Sequence, residues 1–329
     1  RKGAGIEAAG YSTRSYTVSE TKTIGQLDRN DMSYVPATTV KDGVTLNLAG
    51  VDWQVTGTDL VGEVLSPSSW QAVATYSGKA YYNALRSGKI AQTSMVNTEA
   101  FSSQFRRELE SGNDVIYIGI SGGISGTVNA ARIAAAEVME EFVKKYGDTK
   151  RVPEIIVTDS LGASLGEGMI VLKAAEMIES GMSVGDIEKE IQNLIPTMCQ
   201  CFTVEDLKHL KRTGRISGAA SLIGGLLGIQ PILIGNHEGK IVMSGKIRGS
   251  KRALDALADR YNKCAVDKTL DIGIAHADNE SGAEYLIKKL KEYRFGGECL
   301  TVCYEPVTGS HVGPGTVALF FYGKGGRDL

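Results

Sequence analysis

Hydrophobic positions along the chain fall into short continuous runs that alternate with longer segments of helical spacing. Phe101, Phe105 and Leu109 recur every four residues within 99–109 and share one face of a predicted helix. The run DVIYIGI (114–120) has the length of a strand and is bounded by Gly and Ser. A helix is predicted over 126–146, a strand over 154–158 (EIIVT) and a helix over 165–180. Strand, helix, strand, helix is the rhythm of a parallel sheet covered on both faces.

The flanking regions read differently. The first 80 residues are rich in Thr, Ser, Gly and Val, and VTLNLAGVDWQV (44–55) predicts strands or a hairpin there. A short helix is expected at 81–85. In the second half, a helix over 204–211 leads into a Gly-rich helix ending near Leu227. Strands over 230–234 and 240–247 flank Gly235-Asn236-His237-Glu238-Gly239, a hairpin signal. Helices over 250–261 and 282–293 and strands over 270–276, 298–304 and 315–322 complete the pattern. The expected fold class is α/β with two domains. Residues 1–165 would form an N-terminal parallel-sheet α/β domain with an atypical first 80 residues, and 166–329 a C-terminal α/β domain with a mixed sheet.

Composition narrows the function. Of 329 residues, 42% are hydrophobic and 22% charged, which excludes wholesale disorder. Lys+Arg 36 against Asp+Glu 38 leaves a net charge of −2, so no global basic field argues for nucleic acid. Glycine is in excess, 40 of 329 against roughly 7% in an average protein, and is expected where backbone must approach something closely. The five cysteines (199, 201, 264, 299 and 303) are too sparse for a disulfide framework. Cys199 and Cys201 lack a CxxC or HxxxH partner, so they read as buried thiols and no metal is expected. RKGAGIEAAGYSTRS at the start is basic without an apolar core, unlike a secretory signal. The uncharged stretch 216–237 contains Gly and Pro and reads as helix, turn and strand, not as a membrane span. A cytoplasmic location is the expectation.

The sharpest local feature is Gly119-Ile120-Ser121-Gly122-Gly123-Ile124-Ser125-Gly126-Thr127, between a predicted strand and a predicted helix. Small residues let backbone N–H groups converge on an anion, and the helix N-terminus adds partial positive charge. A plain helix cap, with Ser125 as N-cap, is the competing reading. His311, between Ser310 and Gly313, reads as a loop histidine that either donates to an anion or is simply solvated. Thr93-Ser94 is a second hydroxyl pair ahead of a helix, again a donor pair or a cap. Gly119 to Gly123 also matches G-x-S-x-G, so a serine hydrolase using Ser121, Asp159 and His311 is the alternative. Against it, Gly122-Gly123 separate Ser121 from the helix. Neither a Walker A sequence nor GxGxxG after a strand is present. Two basic clusters, Lys208/Lys211/Arg212/Arg215 and Lys246/Arg248/Lys251/Arg252, are solvated faces or docking surfaces for an acidic partner.

Six separated segments resemble the DegV family. Ser121–Thr127 is similar to its Ser-Ser-x-Leu-Ser-Gly-Thr loop, Asp159-Ser160 to its strand-ending Asp-Ser, and 207–216 to its Leu-x-x-Leu-x-x-Gly-Gly-Arg-Ile stretch. Ile229–Leu233, Lys246–Gly249 and His311–Gly315 resemble its Ile-Lys-Pro-Ile-Leu, Lys-x-Arg-Gly and His-x-Gly-Pro-Gly motifs. The family's opening Val-Thr-Asp-Ser has no counterpart near 16–20, and its Thr-Ser-Gln-Pro is reduced to Thr93-Ser94-Met95-Val96.

The resemblance implies a protein that buries one long-chain fatty acid between two α/β domains and needs no cofactor. It implies carboxylate binding by Thr93, Ser94, Ser121, Gly122, Ser125, Gly126, His311 and Gly313. It further implies a non-catalytic carrier that presents the carboxylate to a fatty acid kinase subunit, dihydroxyacetone-kinase-like, for acyl-phosphate formation. Lys208, Lys211, Arg212, Arg215 and Arg248 are the expected kinase-facing surface. Transient membrane contact fits such a cargo, and Leu222, Ile223, Leu226 and Leu227 are expected to line the acyl channel.

Overall fold

A computed structural model describes residues 18–36, 38–41, 44–61, 64–78, 80–147, 152–217, 228–324 and 327. The expected channel residues Leu222, Ile223, Leu226 and Leu227 lie outside them. The chain divides into two compact units, 1–90 and 91–329.

The first unit holds β1 (Val18–Leu27), β2 (Thr38–Lys41), β3 (Val44–Val61), β4 (Val64–Gly78) and α1 (Ala80–Arg86). The strands form an antiparallel sheet in the order β1-β4-β3-β2. The expected strand at 44–55 lies within β3. Leu27, Val35, Leu46, Ala72 and Ala74 are buried, with Trp53 and Trp70 packed against them. β3 and β4 lose register around Gly50 and Gly57; a Cβ at Gly57 would sit 2.4 Å from Ser69 Oγ.

The second unit opens with α2 (Thr98–Glu110), capped by Asn97, whose side chain accepts from Ala100 N–H at 2.9 Å. Phe101, Phe105 and Leu109 are buried, as their spacing predicts, against Ala131, Ala134 and Val138 of α3 (Thr127–Tyr146). β5 (Val115–Gly119) and β6 (Ile155–Asp159) pair in parallel, with Gly119 beside Asp159 at their ends. α4 (Leu165–Glu179) and α5 (Val184–Leu194) follow.

The larger sheet combines β7 (Met198–Thr203), β8 (Ile229–Gly235), β9 (Ile241–Arg248), β10 (Ile272–His276), β11 (Cys299–Cys303) and β12 (Val317–Tyr322) in the order β11-β10-β12-β7-β8-β9. Only β10–β11 is parallel, so the sheet is mixed. β7 and β12 are buried at every position, because α7 (Ser250–Cys264) packs on one side and α4 on the other. Cys199 and Cys201 belong to the core beneath α7 and α8 (Glu280–Glu292). At Gly273 a Cβ would meet Leu165 Cβ at 2.9 Å, so glycine there lets α4 close onto the sheet.

The expected boundary at 165/166 falls inside the second unit. Polar bonds stitch its two sides together. Gln200 on β7 accepts from Ala163 N–H at 3.0 Å. Arg327, 3% exposed, donates to the carbonyls of Ser160 and Ile195 at 3.2 Å each and to that of Leu161. A guanidinium drawn into the interior needs such acceptors, and here three backbone carbonyls that no ladder uses supply them.

Two elements differ from expectation near the candidate site. Of the helix expected over 204–211, residues 204–207 form an irregular turn after β7 and only the shorter α6 (Lys208–Thr213) is helical; it ends at Gly214 in the left-handed region (φ +70°). His311 is not in a loop but in the last turn of α9 (Pro306–Val312). Glu305 caps α9, accepting from Thr308 N–H at 3.0 Å, and Pro306 starts it. Thr316 Oγ1 donates toward the terminal carbonyls of Val312 and Gly313, at 3.1 and 2.9 Å.

Candidate functional site

The Gly119–Thr127 turn leaves β5 and enters α3, and its shape is set by bonds to three other segments. Ser121 N–H donates to Gly162 O at 2.8 Å. Ser121 Oγ donates to Gly239 O at 2.8 Å and accepts from Gly123 N–H at 3.0 Å. Asp159 accepts from Gly122 N–H at 3.0 Å and from Leu161 N–H at 2.8 Å. The glycines are sterically required. A Cβ at Gly123 would lie 2.7 Å from Glu238 O, and one at Gly239 (φ +70°) would lie 2.0 Å from Ser121 Oγ.

These bonds separate the predicted residues into two groups. Ser121 is fully buried and its single hydroxyl proton is committed to Gly239, so it clamps the turn to the β8–β9 hairpin. Asp159 holds backbone amides. Neither is bonded to His311, so the Ser121–Asp159–His311 triad of a hydrolase is not assembled. Gly122 belongs with this clamp.

The second group converges. Thr93 Oγ1 and His311 Nε2 are 2.8 Å apart although 218 residues separate them in sequence. The same 93–95 segment crosses the start of α3, where a Cβ at Gly126 would lie 2.6 Å from Met95 Sδ. Ser125 Oγ lies 3.0 Å from Thr127 Oγ1 and accepts from Thr127 N–H at 3.3 Å, so Ser125 sits one residue before the N-cap position, which Gly126 occupies. Arg215 Nε donates to Ile124 O at 3.3 Å, and Arg212 donates to Ser310 O at 3.4 Å. Ser94 is exposed beside this group. Gly313 is buried (φ +81°) and packs face to face with the His209 ring.

Among the expected partner-surface residues, Lys208 and Arg212 are exposed on α6, and Lys208 pairs with Asp206 at 3.1 Å. Arg248 is not part of this group. Ser217 N–H, just past Arg215, bonds Ile241 O at the start of β9, and Arg248 ends that strand seven residues on, about 20 Å away at the rise of a strand. Among the described residues no cluster of three His, Cys, Asp or Glu side chains could hold a metal ion. No described helix is long and apolar enough to cross a membrane.

A model of the DegV family, described there as an uncharacterised protein, matches residues 69–324. The chain belongs to the DegV family. A DegV domain-containing protein of Clostridium perfringens is 34% identical over 290 residues, covering 88% of this chain and 94% of that protein. A fatty-acid-binding DegV family protein from Thermus thermophilus is 30% identical with a TM-score of 0.63, over 74% of this chain and 82% of that one. A DegV lipid-binding protein from Thermotoga maritima is 26% identical with the same TM-score, over 75% and 82%. The family match begins inside β4, so β1, β2 and β3 precede it.

In this DegV chain the polar groups are electrostatically uneven. Burial, then Arg215 and Arg212, push the His311 imidazole down to about 4, so it is neutral near pH 7. Two guanidinium groups therefore face an uncharged ring, and the local field favours an anion. Glu167, in the first turn of α4, goes the other way. Burial, then the carboxylates of Asp159 and Glu305, raise it to about 8. Asp159 and Glu305 each hold backbone N–H donors, and burial raises Glu305 as well. Of these features, the roles of His209 and Glu167 carry no motif, whereas Arg215 is the arginine of the 207–216 stretch that resembles the family's.

The two shifts act on stability in opposite directions. The unfolded chain protonates His311 near its ordinary 6.5 and the fold resists until about 4, so this contribution is complete above 6.5 and is lost as pH falls between those values. Glu167 ionises near 4.5 when unfolded and near 8 when folded, so stability declines as pH rises across that interval. In urea denaturation, His311→Asn is expected to shrink the loss of stability between about pH 7 and pH 4.5 by about 2 kcal/mol. Glu167→Gln is expected to gain about 2 kcal/mol at about pH 9 and nothing near pH 4. Variants that track the wild-type pH profile would contradict the burial of these groups.

Proposed function

We propose that this protein binds a long-chain fatty acid through its carboxylate, held by Thr93, Ser125, Gly126 and the start of α3, with His311 behind Thr93. The observation that carries this reading is the Thr93–His311 contact beside Arg212 and Arg215. A carboxylate only accepts hydrogen bonds, so Thr93 gives it the hydroxyl proton and takes the Nε2–H of neutral His311 in exchange. Hydrogen bonds to an ionised acceptor contribute about 1.5–3 kcal/mol each. Acyl carbons add about 0.8 kcal/mol per buried CH₂, so the tail supplies affinity and the polar site supplies orientation. Relatives described as fatty-acid-binding or lipid-binding support the same cargo.

In this reading the protein is a cytoplasmic carrier and not a catalyst. It shields the tail and offers the carboxylate to a separate fatty acid kinase, dihydroxyacetone-kinase-like, that forms an acyl phosphate, and it meets membranes only transiently to exchange cargo. The cations of α6 (exposed Lys208 and Arg212 and half-buried Lys211), with Arg215, suit an acidic face on that kinase; Arg248, about 20 Å away along β9, belongs to a separate part of such a surface.

The test is lipid extraction and mass spectrometry of the protein purified from bacteria. One fatty acid per chain is expected. Thr93→Val and His311→Ala are expected to weaken oleate binding about 10- to 100-fold with unchanged circular dichroism. Protein that purifies without lipid and fails to take up oleate would overturn the reading.

A further inference from the structure

The short helix α6 and the residues just after it touch both halves of the site. His209 lies on the inner side of the helix, 3% exposed, with a pKa lowered by burial, Arg212 and Lys208. Its ring is hydrogen-bonded to the backbone of Ser310 and packs so closely on Gly313 that a Cβ there would lie 2.4 Å from Cδ2. Ser310 and Gly313 bracket His311. Arg212 donates to the same Ser310 carbonyl at 3.4 Å. Just past the left-handed Gly214, Arg215 Nε reaches Ile124 O, the residue before Ser125, at 3.3 Å. Lys208 and Arg212, on either side of His209 in sequence, are exposed. One rigid turn therefore joins the histidine arm, the serine turn and a cationic surface.

We propose that α6 couples occupancy of the carboxylate site to that surface, with His209 as the positioning residue, so that an acidic protein partner binds the loaded protein more tightly than the empty one. The proposal rests on the fatty-acid reading above. A captured carboxylate orders Thr93, His311 and the Ser125 turn. Ordering His311 and Ile124 removes motion from the two carbonyls that hold α6, and the cations of α6 are then presented in one geometry. Coupling of this kind is reciprocal: the partner that fixes α6 also slows release of the lipid. Lys208 and Arg212 flank a ring that is already neutral, so docking an acidic surface against them does not require His209 to change charge.

Amide hydrogen exchange of the full-length protein, stripped of lipid and then with saturating oleate, tests this. In the wild type, oleate is expected to slow exchange at least about fivefold in both 121–127 and 207–215. His209→Phe keeps the ring against Gly313 and deletes both nitrogens; protection of 207–215 is expected to fall below about twofold while that of 121–127 persists. His209→Gln restores a donor toward Ser310 and is expected to recover the protection of 207–215. Wild-type protection of 121–127 without protection of 207–215 overturns the coupling even if no variant folds. His209→Phe that retains wild-type protection at 207–215 overturns the role of His209. Absence of protection anywhere overturns the fatty-acid reading and this proposal with it.

Discussion

A neutral imidazole held against a threonine hydroxyl, with two guanidinium groups nearby, is the constraint on which the rest of the second unit turns. His311 carries no charge because burial and its cationic neighbours oppose protonation. An uncharged ring can sit beside Arg212 and Arg215 without repulsion, and it can orient the Thr93 hydroxyl outward. A protonated ring would do neither. The fold enforces this state by placing His311 in the final turn of α9, between a capped start at Glu305 and a buried left-handed glycine at Gly313. Charge, helix geometry and glycine placement thus serve one arrangement of donors.

The excess glycine has the same explanation. Gly123 and Gly239 let the 121–127 turn lie directly on the β8–β9 hairpin, and Gly313 lets α6 lie directly on α9. Each is a place where two backbones, or a backbone and a ring, meet without room for a methyl group. Ser121, fully buried, fixes the first of these contacts by donating to Gly239. A serine inside a nucleophile-like G-x-S-x-G sequence is here a structural clamp, and the difference lies wholly in where its one proton goes.

The sequence is most legible where periodicity is strong. The Phe101/Phe105/Leu109 face, the β5–α3–β6 unit and the 235–239 hairpin are all visible in it, as is the family through six short motifs. The helix α9 is not, because seven residues with a glycine and a proline carry no periodic signal and depend on the Glu305 cap. The joining of the two predicted α/β blocks is less legible for a related reason. Two chain segments that look like separate α/β blocks are joined by Gln200, Ser121 and Arg327, polar bonds that hydropathy does not register. The Thr93–His311 contact joins two segments that the sequence singles out, whereas the clamp role of Ser121 and the proton kept by Glu167 depend on burial and on neighbours remote in sequence.

The central claim concerns the charge state of a bound acid headgroup, and ¹³C NMR of oleate labelled at its carboxyl carbon reads that directly. Donors from Thr93, Ser125 and the helix start, in the field of two guanidiniums, should hold the bound carboxyl ionised well below the ordinary carboxylate range, with one protein-bound resonance that does not titrate until the fold itself gives way. A bound resonance that titrates at or above the value of the free acid would show that the headgroup lies elsewhere and would contradict the account.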